Sequence, residues 1–231
     1  MRCYLVRHAQ TAWNYENRIQ GHSDQPLSPA GLDQAKRLGD YFAGRTIAAV
    51  YTSHLLRSVQ TAQAIARQTG KEPSVDPMLA EMHLGEWEGL TPEEVNSRYG
   101  GAYQRWRVAP SEVSIPSSEP LEEFRRRVEE VVERILAVRH GEGDIVIVSH
   151  GGVIAALLAA WMQAEYDQLL RRLVLDNAGV SAIDYRMMPP CILWVNATHH
   201  LSNHTPATLI PPPADWTASQ TGDGEAQQVG G

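Results

Sequence analysis

Two rhythms of hydrophobic and polar positions alternate along the chain. Short, nearly continuous apolar runs are separated by longer stretches in which apolar residues recur at helical spacing. The runs "CYLVR" (3–7), "IAAVYTS" (47–53), "DIVIVS" (144–149), "GVSAIDY" (179–185) and "CILWVN" (191–196) predict strands. "LSPAGLDQAKRLGDYF" predicts a helix, with Ser28 as N-cap, Pro29 at the first helical position and Leu32, Ala35, Leu38 and Phe42 on one face. "LLRSVQTAQAIARQTG" predicts another, ending at Gly70. "LEEFRRRVEEVVERILAVRHG" sets Phe124, Val128, Val131, Ile135 and Val138 on one face against a charged one. In "DIVIVSHGGVIAALLAAWM" a β-branched run stops at His150, turns on Gly151 and Gly152, and continues as an apolar helix. Strands alternating with helices imply an α/β fold of three layers, α/β/α, with a mostly parallel sheet covered on both faces.

Composition changes this picture only at the end of the chain. The 231 residues suit one large domain, here 1–205, and from Pro206 onward Pro, Gly, Gln and Ser accumulate. Such a segment buries too little to offset its ordering entropy, so 206–231 is expected to be a flexible or loosely docked tail. The chain is 43% hydrophobic and 20% charged, as expected of a soluble globular protein.

A formal net charge of −7 argues against a nucleic-acid partner held by a broad basic surface. There is no basic segment leading into an apolar one at the start, and no run of about 20 apolar residues to span a bilayer. No membrane association and a cytoplasmic location are therefore expected. Cys3 and Cys191 both lie in apolar stretches and are too few for a disulfide framework, so both are expected to be reduced and buried. The sequons at Asn196 and Asn203 are read as chance in a chain without a secretory signal. A homodimer stays open.

Candidate chemistry sits at two strand ends, "YLVRHA" and "IVIVSHGG". Each delivers a His, His8 and His150, to the carboxyl edge of the sheet, where open α/β sheets bind ligands. Arg7 beside His8, and Arg57 early in the second helix, offer forked donors that match phosphate oxygens. "HHLSNH", with His199, His200 and His204, lacks the spacing of a metal site. Ser149 in "VSHGG" is not in a nucleophile-elbow pattern. Trp87, Tyr103 and Trp106 suit core or lid packing, with a role in specificity as the alternative.

Taken in order, "LVRHAQTAWN", "RIQGHSDQPLSPAG", "VYTSHLLRSVQTA", "EMHLGEWEG" and "VSHGG" resemble the histidine phosphatase superfamily, in its phosphoglycerate mutase-like branch, from about Arg2 to about Leu201. The resemblance implies that His8 is the nucleophile that becomes phosphorylated. It implies a clamp of Arg7, Arg57 and His150 on the phosphoryl oxygens, with Asn14, Gln20, Gly21 and Gly151 as substrate contacts. Glu81 takes the place of the proton donor to the leaving oxygen, ahead of its neighbours Glu86 and Glu88. A neutral imidazole is a competent nucleophile, and charge stabilisation is most of what phosphoryl transfer needs. Two Arg and a protonated His150 could supply that charge, so no metal and no other cofactor is expected.

"EMHLGEWEG", where mutases carry "ERHYG", and a short insertion before the second His resemble the phosphatase members. A phosphomonoesterase acting on a small phosphorylated substrate is therefore expected, with a cofactor-dependent phosphoglycerate mutase as the alternative and a non-catalytic phosphate-binding module as a second. Departures are Ala9 in place of Gly, and "PSSEP" (116–120) where a Gly-rich "GGES" is usual.

Overall fold

The computed structural model describes residues 1–138 and 143–201. The segment expected to be a tail, with Asn203 and His204, lies outside the described residues. Six strands form one sheet: β1 (Arg2–Arg7), β2 (Ile47–Thr52), β3 (Pro73–Val75), β4 (Asp144–Ser149), β5 (Val180–Asp184) and β6 (Cys191–Ala197). Their order is β3-β2-β4-β1-β5-β6. The first four are mutually parallel, and β5 is antiparallel to both its neighbours. The helices are α1 (Ala12–Tyr15), α2 (Pro29–Phe42), α3 (Leu56–Thr69), α4 (Pro92–Arg98), α5 (Ala102–Val108), α6 (Leu121–Val138), α7 (Gly151–Met162) and α8 (Tyr166–Leu170).

The period-2 alternation of strand side chains creates the three expected layers. Tyr4 and Val6 of β1, with Val146 and Val148 of β4, pack with Ala35, Leu38 and Phe42 of α2 and Ala62 and Ile65 of α3. Cys3, Leu5, Ile145 and Ile147 face the other way, onto Phe124, Val128 and Ile135 of α6 and Val153, Ile154 and Leu157 of α7. Both central strands are thus buried on two sides, which is why they read as continuous apolar runs.

Local signals act as expected. The Ser28 hydroxyl accepts from the Gly31 N–H, and Gly70 closes α3 in the left-handed conformation that lacks a Cβ penalty. Three expectations of burial fail. Leu32 is 53% exposed because Gly31, Gln34, Ala35 and Leu38 form the inward stripe of α2; Gly31 must approach the Gln10 carbonyl so closely that a Cβ would lie 1.9 Å from it. Val138 ends α6 in solvent, and Cys191 is exposed on β6, the last strand of the sheet among the described residues. Cys3 is buried and free.

A small second core is formed by Trp87, Val95, Ala102 and Ile115 with Tyr103 and Trp106 against them. These aromatics are packing residues of a cap built on α4 and α5. Among the described residues, no helix is long and apolar enough to cross a membrane, and no group of three or more His, Cys, Asp or Glu could hold a metal ion.

Candidate active site

Parallel pairing of β1 with β4 sets Arg7 opposite Ser149, so the next residues, His8 and His150, leave the sheet side by side. Their ring centroids are 5.2 Å apart. The His8 N–H donates to the Ser149 carbonyl (2.9 Å). Residues 175–179 hold the pair from the β5 side. The Leu175 carbonyl accepts from the Arg7 guanidinium, the Ala178 N–H donates to the carbonyls of Arg7 and His8, and the Asn177 amide donates to the His8 carbonyl (3.1 Å) and to Asn14 Oδ1 (3.2 Å). That segment is anchored by Asn196, whose amide bonds both the N–H and the carboxylate of Asp176.

His8 Nδ1 lies 2.8 Å from the Ala9 carbonyl. A carbonyl only accepts, so Nδ1 carries the proton and Nε2 keeps its lone pair. Burial, then the positive charges of Arg57 and Arg7, push the His8 pKa well below that of an ordinary histidine, and the bond to Ala9 opposes them only in part. At neutral pH the ring is therefore uncharged, with the Nε2 lone pair chemically able to act as a nucleophile.

The same causes act on His150. Burial first, then Arg57, His8, Arg7 and His22, hold its pKa well below the usual value, so the protonated His150 expected from the sequence is a neutral ring in the structure. Its Nε2 lies 2.7 Å from the Ser53 hydroxyl, while its Nδ1 is buried without a hydrogen-bond partner among the described residues. Ser53 is fully buried, and its hydroxyl has no other acceptor there. The arrangement that satisfies both groups has Ser53 donating to Nε2, which places the ring proton on Nδ1. A neutral His150 then still offers one N–H to an anion.

Arg57 reaches the site from the first turn of α3. It donates to the carbonyls of Ser23 (2.9 Å) and Gly21 (2.7 Å), bending 20–24 around its guanidinium. Burial lowers its pKa to about 10, which leaves it charged at neutral pH. Nε of Arg57 and Nε of Arg7 are buried and unpartnered among the described residues. Gly21 serves Arg57 with its carbonyl, and its φ of +48° and a Cβ position 2.1 Å from Glu88 Oε1 make glycine necessary. Asn14 and Gln20 meet through Thr11, whose hydroxyl bonds Asn14 Oδ1 and Gln20 Oε1 at 3.0 Å each. Gly151 opens α7 against the Arg7 guanidinium.

Glu81 turns its carboxylate to the start of α7, where Oε2 accepts from the Gly152 N–H (3.0 Å) and Oε1 from the Met82 N–H (3.0 Å). Its neighbours are committed elsewhere. Glu88 accepts from the N–H groups of His22, Ser23 and Leu84, and Glu86 from the Tyr99 hydroxyl. The Glu81 segment is clamped from behind by Arg127, which donates to the carbonyls of Met78, Ala80 and Glu81 and pairs with Glu119. Glu119 belongs to "PSSEP", so the departure in that loop keeps a carboxylate for Arg127.

All five expected catalytic residues therefore converge on one sheet edge. Sequence reasoning missed Ser53, Gly152, Asn177 and Arg127. Ser53 carries a signal, since it ends "IAAVYTS" at the same carboxyl edge as the two His. Gly152 was legible only as part of a turn, although a Cβ there would lie 2.3 Å from Glu81 Oε1. Asn177 and Arg127 act through contacts distant in sequence and carry no local signal.

A family model described as the histidine phosphatase superfamily (branch 1) matches residues 3–198. The chain is 30% identical over 199 residues to putative phosphoserine phosphatase 2 of Hydrogenobacter thermophilus, covering 86% of this chain and 97% of that one. It is 35% identical over 199 residues to a probable phosphoglycerate mutase of Serratia proteamaculans, covering 82% and 87%. Its fold is similar to a solved mycobacterial glucosyl-3-phosphoglycerate phosphatase in complex with VO3, with a TM-score of 0.78, 27% identity and coverage of 85% and 99%.

Proposed function

The chain belongs to the histidine phosphatase superfamily and is a phosphoric monoester hydrolase, and we propose that it hydrolyses small phosphorylated metabolites through a phosphohistidine at His8, without a metal ion. One observation carries this reading. Neutral His8 shares its strand-end site with three buried nitrogens that have no partner among the described residues, Arg7 Nε, Arg57 Nε and His150 Nδ1. Unpartnered buried donors cost about 1–3 kcal/mol each, and a phosphoryl oxygen satisfies such donors with charge assistance.

His8 Nε2 attacks phosphorus while the P–O ester bond breaks, and a proton from Glu81 passes to the departing alcohol oxygen. Water then attacks the phosphohistidine and gives its proton to Glu81. The N–P bond breaks, inorganic phosphate leaves, and His8 and Glu81 return to their starting states. Arg7, Arg57 and neutral His150 hold the equatorial oxygens through both displacements.

The test is hydrolysis of a panel of phosphate esters and an aryl phosphate with chelator present, wild type beside His8→Ala, together with an alkaline denaturing quench to trap the acid-labile phosphoramidate. Turnover in chelator, abolished by His8→Ala, is expected. Undiminished activity of His8→Ala sinks the nucleophile, and full inhibition by chelator sinks metal independence. Interconversion of phosphoglycerates without net phosphate release would favour a mutase instead.

A further inference from the structure

The histidine run that follows β6 takes no part in the proposed reaction, yet it reaches the site from behind. His199–Leu201 form a short 3-10 helix. Leu201 is buried in the core that includes Leu38 and Phe42 of α2, and the His200 ring lies 5.1 Å from that of Tyr41, centroid to centroid. His200 Nε2 is 3.1 Å from the Ala178 carbonyl, which only accepts, so Nε2 carries the ring proton. Burial foremost, with His199 beside it, lowers the His200 pKa to about 4 against the opposing pull of the Ala178 bond. At neutral pH the ring is uncharged and has that one N–H to give.

Ala178 is where the 175–179 segment grips the end of β1. Its N–H donates to the carbonyls of Arg7 (3.1 Å) and His8 (3.2 Å), and the Gly179 carbonyl accepts from the Arg7 N–H (3.1 Å). It does this at φ +60°, in the left-handed region that a residue with a Cβ enters at a cost. Such a conformation persists only where its surroundings over-determine it. Ala178 is fully buried, so its own carbonyl also needs a partner, and the His200 N–H supplies one from across the fold.

We propose that His200 is a positioning residue for the reaction: by bonding the Ala178 carbonyl it locks the strained turn whose N–H holds the strand end carrying Arg7 and His8. The proposal rests on the reading of His8 as the nucleophile. Two residues of the last part of the fold divide the work. Asn196 fixes the entry to the turn at Asp176, and His200 fixes its exit at Ala178. Without the His200 bond, Ala178 is free to relax from the left-handed conformation, and its N–H then leaves the two carbonyls. In-line attack is sensitive to small displacements of the nucleophile, so a loosened strand end lowers the rate of a fully folded enzyme.

The test compares His200→Phe, which keeps an aromatic ring against Tyr41 without the N–H, with His200→Gln, whose amide N–H can reach the same carbonyl. His200→Met replaces the Phe variant if that does not fold. Full-length proteins are assayed at a temperature where circular dichroism shows each to be folded. On an aryl phosphate, kcat is expected to fall about tenfold in His200→Phe, the size of one hydrogen bond, and to recover most of that loss in His200→Gln. His199→Phe is the control and should match the wild type, because His199 is exposed and makes no bond to 175–179 among the described residues. NMR signals of the His8 amide and ring in the ligand-free protein should move in His200→Phe and stay in place in His199→Phe. A folded His200→Phe with a lower melting temperature but wild-type kcat makes the contact purely structural and overturns the proposal, while the phosphatase reading stands. Unmoved His8 signals, or equal loss of kcat in the Phe and Gln variants, overturn it as well. A wild type that hydrolyses no ester takes down the phosphatase reading, and this proposal with it.

Discussion

Replacing Ser53 by Ala tests how His150 can serve as a clamp without a charge. Among the described residues the hydroxyl is the only partner of His150 Nε2, at 2.7 Å, and both residues are fully buried. Removing it leaves a buried ring nitrogen unsatisfied, at a cost of about 1–3 kcal/mol. More important, it removes the group that fixes the ring proton on Nδ1. A ring protonated on Nε2 alone would turn a lone pair toward the phosphoryl oxygens, and the donor would have to be regained by tautomerisation or by charging a ring whose pKa burial and two Arg hold down. If the whole penalty falls on the bound phosphoryl group, kcat/KM drops about 5- to 150-fold, at 1.36 kcal/mol per tenfold change.

Steady-state kinetics on an aryl phosphate and nitrogen NMR of the imidazoles measure the two parts separately. Wild-type His150 should appear as the neutral tautomer protonated on Nδ1, and Ser53→Ala as a mixture of tautomers. Ser53→Thr, which keeps the hydroxyl, should restore the tautomer wherever it folds. Finding the wild-type proton on Nε2, or an imidazolium at neutral pH without ligand, refutes the reasoning. So does an Ala variant with unchanged kcat/KM.

Gly152→Ala should displace the Glu81 carboxylate, because the new Cβ lies 2.3 Å from Oε1, and should lower kcat by about tenfold or more on alkyl esters, the penalty of a misplaced proton donor. Gly151→Ala, whose Cβ would be no closer than 3.7 Å to Arg7, is the control, and equal kcat for the two variants would count against the placement of Glu81. Arg127→Met should lower thermal stability, by less than the ~3–5 kcal/mol of a fully buried pair because Glu119 is partly exposed, and lower kcat through the Glu81 segment; an unchanged melting temperature would refute the clamp. His8, His150 and His200 have native pKa values below their unfolded ones, that of His200 at about 4. The unfolded chain therefore binds more protons as pH falls through about 6.5, so stability should decline from there downward, and a melting temperature constant from pH 6.5 to 4 would contradict it.

How much of this was legible in the sequence depends on the range of the contact. Strands β1 and β4 announced themselves because both their faces are buried, and the ends of α2 and α3 because Ser28 and Gly70 act within one turn. The short edge strand β3 escaped because two of its three residues are exposed, and α4 and α5 because they bury only a few residues in a core of their own. Candidate catalytic residues were legible where a motif brings the chemistry together, as with "VRH" and "SHGG". Their protonation states were not, because the depressed pKa of His150 comes from burial and from charges that only the folded sheet edge assembles.

That difference alters how the site handles charge. An imidazolium beside two Arg would add a third positive charge to an empty pocket, at a desolvation cost that burial makes large. Neutral His150, with its donor fixed by Ser53, avoids this cost and still offers an N–H to the phosphoryl group of the proposed reaction. After burial, the two Arg also depress the His8 pKa, so in the proposed mechanism the charges that bind the phosphate keep the nucleophile unprotonated until it arrives. Once a phosphate dianion offsets those charges, a proton on His8 becomes less unfavourable. Nδ1 already carries its proton to the Ala9 carbonyl, so only Nε2 could accept another, and the incoming phosphorus competes for that same lone pair. In the proposed mechanism the nucleophile is therefore most at risk just as the substrate binds, and the Ala9 carbonyl, by holding the proton on Nδ1, keeps the Nε2 lone pair for phosphorus.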